Sequence, residues 1–250
     1  MSIIKGFIMS LGMFSIIPVP KNSWNDKYMP LVIPALPIAG AVIGVIWCGL
    51  ALALTYISIP LMIKSAIVLF IPFILSGFLH LDGYMDTADA VFSRRSIDEK
   101  KRILKDPHIG AFAAVSMTGL LIFQLSAVYV IMEVQENLFI LVLIPVISRC
   151  IAGFATLNLK PVFETGYNAS FRAGTNKKHT IFICFILFIC YITAWFTLGT
   201  AALPLFAQTA AGFLAVWYLY RQFRGISGDL SGCIITVSEL AALICMAVVI

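Results

Sequence analysis

Asp82, Asp86 and Asp89 stand four and three positions apart in the segment HLDGYMDTADA, between two long apolar runs. If His80–Arg94 is helical, at about 100° per residue the three carboxylates point at roughly 0°, 40° and −20°. They then share one narrow stripe, where i,i+4 neighbours lie roughly 5–6 Å apart and like charges repel. Three readings account for the stripe. It is a solvated helix end whose aspartates pair with Arg94 and Arg95, a proton or cation path through a transporter, or a site for a divalent metal. Mg²⁺ takes oxygen ligands, usually one or two carboxylates completed by substrate phosphates. Half of the 12 acidic residues fall between Asp82 and Asp106, so this segment holds most of the available carboxylate chemistry.

The stretch that follows, SRRSIDEKKRILKDPHIG from Ser93 to Gly110, interleaves six basic residues with acids. Such a run is ordinarily a solvated surface helix. Beside a carboxylate stripe it also suits phosphoryl transfer, where metal and cations neutralise charge on the departing group. No G-x4-G-K-[ST] loop is present, which argues against nucleotide hydrolysis of the P-loop kind.

These residues must be positioned by elements that live in lipid. The chain has 250 residues, 61% hydrophobic and only 12% charged, too few charges to cover a soluble surface. The expected fold is all-α, a polytopic integral membrane bundle of about seven transmembrane helices forming one domain over 1–250. Stretches of about 20 apolar residues occur at Leu31–Leu54, Leu61–Leu79, Ala111–Met132, Leu138–Leu157, Ile181–Leu198, Ala201–Tyr220 and Gly232–Ile250. Gly6–Val19 is too short to span and reads as an interfacial or re-entrant helix. Gly40-x-x-x-Gly44 permits close approach of a neighbouring helix.

Charge placement orients this map. With the amino terminus inside, the segments 1–30, 80–110, 158–180 and 221–231 hold 15 of the 17 basic residues, all but Lys64 and Arg149. The opposite orientation would break the positive-inside tendency. The expected location is therefore the cell's inner membrane, multi-pass, with the amino terminus and active site facing the cytoplasm. The +5 net charge reports this orientation rather than a nucleic-acid partner. The six cysteines lie in or beside apolar segments without metal-type spacing.

The motifs carry a family resemblance. F-L-H-L-D-G-Y-M-D-T-A-D-A (Phe78–Ala90) followed by E-K-K-R-I-L-K-D-P-H-I-G (Glu99–Gly110) closely resembles the signature of the cobalamin synthases, the adenosylcobinamide-GDP ribazoletransferases. Phe14–Pro20, Leu36–Gly44, Ile144–Arg149 and Arg224–Cys233 resemble further family stretches in order, with Glu239 at the family's following glutamate. Lys160–Asn168 is a degraded match that lacks the family's arginine near Phe163–Glu164; Arg172 is the candidate substitute. Pro107 stands where serine is usual and Ala90 where glycine is common.

The resemblance implies displacement of GMP from adenosylcobinamide-GDP by α-ribazole or its 5′-phosphate, with Mg²⁺ as cofactor. It implies Asp82, Asp86 and Asp89 as metal ligands, with one of them, or Asp106, accepting the proton of the attacking hydroxyl. Arg95, Arg102 and Lys105 become candidates for the GMP phosphate, or else surface cations facing anionic membrane lipid. His80 is either an interfacial histidine bonded to backbone or a nucleotide contact. Asp229, in a glycine-rich turn before the last span, is a candidate metal or ribazole contact. Arg149 and Glu239, lone charges inside spans, either pair with each other or face the catalytic cavity. Two rivals stand beside this reading. A CDP-alcohol phosphotransferase would carry D-G-x2-A-R where this chain has D-G-Y-M-D-T, and a cation-coupled transporter leaves the one-sided charge unexplained. The sequence leaves the oligomeric state open, a homo-oligomer included.

Overall fold

The structure, a computed structural model, describes residues 2–164, 171 and 174–249, and it is helical almost throughout. Arg172, the substitute cation named above, lies outside the described residues. The helices are α1 (Ser2–Phe14), α2 (Val32–Thr55), α3 (Leu61–Leu75), α4 (Leu79–Phe92), α5 (Ile97–Ile103), α6 (Ala111–Val134), α7 (Ile140–Asn158), α8 (Lys177–Leu198), α9 (Leu203–Phe223) and α10 (Gly228–Val249). Short 3-10 turns at Asp26–Leu31 and Gly199–Ala202 lead into α2 and join α8 to α9.

Five helical segments among the described residues are long and apolar enough to cross a membrane; α3 and α4 pass only when taken together, as a pair bent by 89°. The expected count of about seven differs because 177–223 forms one 47-residue helical segment and the second expected span is broken. The turn at Gly199, with φ 54°, divides that segment into α8 and α9, of 22 and 21 residues. Each part reaches roughly 30 Å at about 1.5 Å per residue.

α7 is the axis of the bundle. Nearly every side chain from Ile140 to Leu157 is buried, and α2, α8, α9 and α10 all pack on it. Gly40 and Gly44 let α2 lie against α7 backbone to backbone: a Cβ at Gly40 would come within 2.5 Å of the Pro145 carbonyl. The small-residue pattern thus sets the most extensively packed helix pair in the fold. α1 is interfacial in length and packs on the start of α2, with Gly6 against Leu31.

One expectation needs correction. The second apolar stretch does not continue straight into the aspartate segment: α3 and α4 meet at 89°. Gly77 (φ 62°) and Phe78 (φ 60°) take consecutive left-handed conformations, which ends the α3 ladder and starts a new helix. We therefore assign α3 to the membrane and α4 to the polar connection beyond it. α4 turns across the bundle end and packs on α10 and α6.

Candidate active site

The site is built where α4 crosses the start of α10. The crossing is made by glycine: a Cβ at Gly83 would come within 2.7 Å of the Asp229 carbonyl oxygen, and one at Gly232 within 3.2 Å of His80 backbone. Thr236 Oγ1 donates to the His80 carbonyl at 3.2 Å and locks the register. Backbone contact at Gly83 brings Asp229 against the helix that carries Asp82 and Asp86.

The three carboxylates act on one another. Asp82 is exposed, Asp86 and Asp229 half-buried. Burial first, then the charges of Asp82, Asp229 and Asp89, push Asp86 from an ordinary 3.8 up to about 6. The Asp82 charge also bears on Asp229. Among the described residues none of the three pairs with a cation.

Asp229 itself is not in a loose turn, as its glycine-rich surroundings suggested. It occupies the first turn of α10, where a carboxylate is favoured by the helix N-terminus. Ser227 caps that helix, accepting from the Leu230 N–H at 3.3 Å and lying 3.4 Å from Asp229 Oδ2. The Ser-Gly-Asp string before an apolar run is a helix-start signal that would have found Ser227.

Asp89 behaves differently from its neighbours on the stripe. Its carboxylate is buried and accepts the backbone N–H of Gly110 at 2.6 Å and of Ala113 at 2.9 Å. Both oxygens thus hold the start of α6. Asp106 is exposed and closed on its own turn, accepting from His108 N at 3.0 Å and bonded to His108 Nδ1 at 2.6 Å. Those bonds lower its basicity, and it is not among the charges acting on Asp86.

The basic residues also separate. Arg95 is exposed beside Glu99 at 3.5 Å, and Arg102 is exposed on α5. A capping box between Ser96 and Glu99 starts this short helix, and Lys100 fastens it to Gln222 of α9. Lys105, just past α5, lies 4.0 Å from the centroid of the Phe163 ring. Arg149 is fully buried and pairs with Glu239, whose Oε1 also accepts from Ser148 at 2.7 Å. Of the two alternatives for these charges, the structure forms the pair.

A cavity of about 470 Å³ opens beside the acidic crossing. Phe14, Leu36, His80, Thr156, Phe163, Phe171, Ser231 and Asp229 are among its lining residues, so Asp229 belongs to both cluster and cavity. His80 is 7% exposed and its Nε2 has no hydrogen-bond partner among the described residues. Thr156 and Ser231 face each other at 3.2 Å across α7 and α10. Phe14 and Ser231 lie in stretches with family resemblance but carried no assigned role, and Thr156 lies outside them; only the folded chain brings the three together.

The donor set suits Mg²⁺. The crossing offers hard carboxylate oxygens carrying uncompensated negative charge. No group of three or more His, Cys, Asp or Glu among the described residues could hold a metal ion by itself. Mg²⁺ requires less, one or two carboxylates with water and substrate phosphate completing its shell.

Comparison with known proteins gives a consistent result. A profile of the cobalamin-5-phosphate synthase family matches residues 6–247. An adenosylcobinamide-GDP ribazoletransferase of Clostridium botulinum (strain Eklund 17B / Type B) is 37% identical over 243 residues, covering 97% of this chain and 96% of its own. A second from C. botulinum (strain Alaska E43 / Type E3) is 35% identical with the same coverage. One from Geobacillus kaustophilus is 30% identical, covering 94% and 92%. No solved structure matches the chain.

Proposed function

The chain belongs to the cobalamin-5-phosphate synthase family, and from that premise we propose how its acidic crossing carries out the transfer. It is a membrane-embedded adenosylcobinamide-GDP ribazoletransferase, acting in assembly of the cobalamin nucleotide loop. A ribose hydroxyl oxygen of α-ribazole, or of its 5′-phosphate, attacks the phosphorus bonded to cobinamide. A new P–O bond forms, the P–O bond to GMP breaks, and the hydroxyl proton passes to a carboxylate.

In this reading Asp82 and Asp229 would hold Mg²⁺, and Asp86 accepts the proton. When bound, the ion polarises phosphate oxygens and offsets charge on the departing GMP. Asp86 is suited to the base's part by its burial, the first cause of its raised basicity and one that does not depend on the charges of Asp82 and Asp229. Asp89 orients the site from behind by tying α4 to α6. Lys105 lies over Phe163, a residue of the cavity wall, and serves substrate phosphate. The active site and amino terminus face the cytoplasm, where these polar substrates are, and α5 lays its exposed cations against anionic lipid headgroups.

One observation carries the reading: the charges of Asp82 and Asp229 both act on Asp86, none of the three pairs with a cation among the described residues, and Asp229 also lines a ligand-sized cavity. The test is GMP release by purified protein from adenosylcobinamide-GDP plus α-ribazole or its 5′-phosphate, with Mg²⁺ and with EDTA. Turnover that persists without divalent metal, or full activity in Asp82→Asn, would remove the aspartate–metal mechanism.

A further inference from the structure

The cavity beside Asp229 has a chemistry of its own. Its walls are aromatic and aliphatic, contributed by Phe14, Phe163 and Phe171, with hydroxyls at Thr156 and Ser231. Among the described residues no Lys or Arg lines it, and Asp229 stands at its edge. A pyrophosphate or a nucleoside diphosphate finds no counter-charge among those residues. The volume of about 470 Å³ suits one drug-sized ligand and is too small for a corrinoid ring with its amide arms.

His80 makes the cavity more than an apolar hollow. Its side chain is 93% buried, it lines the cavity, and Nε2 is left without a partner among the described residues. A buried polar atom without a hydrogen bond is costly, so a ligand in the cavity that reaches the imidazole edge gains by supplying one. A planar aromatic heterocycle meets every requirement at once. Its faces stack on phenylalanine rings, its ring nitrogen bonds an imidazole, and it is uncharged.

We propose that this cavity receives the aromatic base of the nucleoside acceptor, with His80 bonding the base and Asp229 meeting the ribose at the mouth. The assignment rests on the transferase reading above and deepens it by dividing the substrates between two places. The base enters the cavity, and the nucleotide-activated corrinoid stays outside, on the acidic crossing. An acceptor 5′-phosphate also stays outside the cavity, within reach of Lys105 beside Phe163.

The experiment uses the full chain in detergent and reads two quantities. α-Ribazole binding is measured by calorimetry in the absence of the second substrate, and KM is measured for each substrate in the GMP-release assay. Thr156→Leu, which fills the cavity, and His80→Ala, which removes the imidazole, should each weaken α-ribazole binding at least about tenfold. Both should leave KM for adenosylcobinamide-GDP unchanged. Thermal unfolding checks that each variant folds, and Phe163→Ala at the wall replaces one that does not. Unchanged α-ribazole affinity in folded variants, or a rise in KM confined to adenosylcobinamide-GDP, overturns the cavity assignment while wild-type turnover still upholds the reaction. Wild-type protein that releases no GMP, yet binds α-ribazole in a way these variants weaken, refutes the reaction and keeps the cavity.

Discussion

Asp89 on α4 and Gly110 at the head of α6 are joined across 21 positions by a 2.6 Å hydrogen bond from the glycine N–H to the carboxylate. A Cβ at residue 110 would fall onto that carboxylate, so glycine is required for the approach. Ala113 donates to the other oxygen. Asp89→Ala strands two backbone donors at a helix start and should cost about 3 kcal/mol. Chemical or thermal unfolding in detergent measures it, and Asp89→Asn should recover part of the loss. Normal stability in Asp89→Ala would show that α6 does not depend on this anchor.

Asp82→Asn should do the reverse. The side chain is exposed and makes no hydrogen bond or ion pair among the described residues, so stability should not fall, and at pH 8 it should rise slightly as repulsion on Asp86 is lifted. GMP release should fall about 100-fold or more, the size of effect that follows loss of one group stabilising transition-state charge. A variant with lowered stability and a proportionate fall in activity would make Asp82 structural.

Asp86 gives a pH test with a definite sign. Its pKa is raised in the fold, from an ordinary 3.8 to about 6, so the folded state holds the proton more tightly. Stability therefore declines as pH rises from about 4 to about 6 and stays reduced above that. In EDTA, Asp86→Asn should raise the unfolding temperature at pH 8 and give no such gain at pH 4. Added Mg²⁺ should stabilise wild type more at pH 8 than at pH 5. Equal effects of the substitution at both pH values would mean that Asp86 carries no electrostatic load.

Arg149→Met alone leaves Glu239 buried without its cation, and Glu239→Leu alone strands Arg149. Each should cost about 3–5 kcal/mol, while the double variant should recover most of the loss. Unfolding of the three proteins decides the matter. Should Arg149→Met instead fold normally and raise only KM for adenosylcobinamide-GDP, Arg149 would be a substrate contact.

Much of the architecture was legible because lipid imposes a simple rule: apolar runs near 20 residues and one-sided cations define the bundle and its expected orientation. The aspartate stripe was legible too, since spacings of four and three fix a helical face whatever the helix later meets. What that face meets was not. Asp229 arrives from 147 positions beyond Asp82, and only a glycine-to-backbone contact at Gly83 brings it in. Asp89 shares the stripe by angle, yet the return of the chain at Gly110 commits it to another helix. Arg149 and Glu239 could be suspected as partners because each was a lone charge in grease. The right-angle turn at Gly77–Phe78 was hidden inside a run that composition alone reads as continuous.

The contact between Gly83 and Asp229 has a mechanical meaning. Main chain meets main chain at this point, and the Thr236–His80 hydrogen bond holds α4 and α10 in register against the electrostatic pressure at their crossing. That pressure is stored in the resting protein and released by whatever positive charge arrives. Substrate and ion therefore enter a place already braced in the shape they need, and little of their binding is spent on rearranging it.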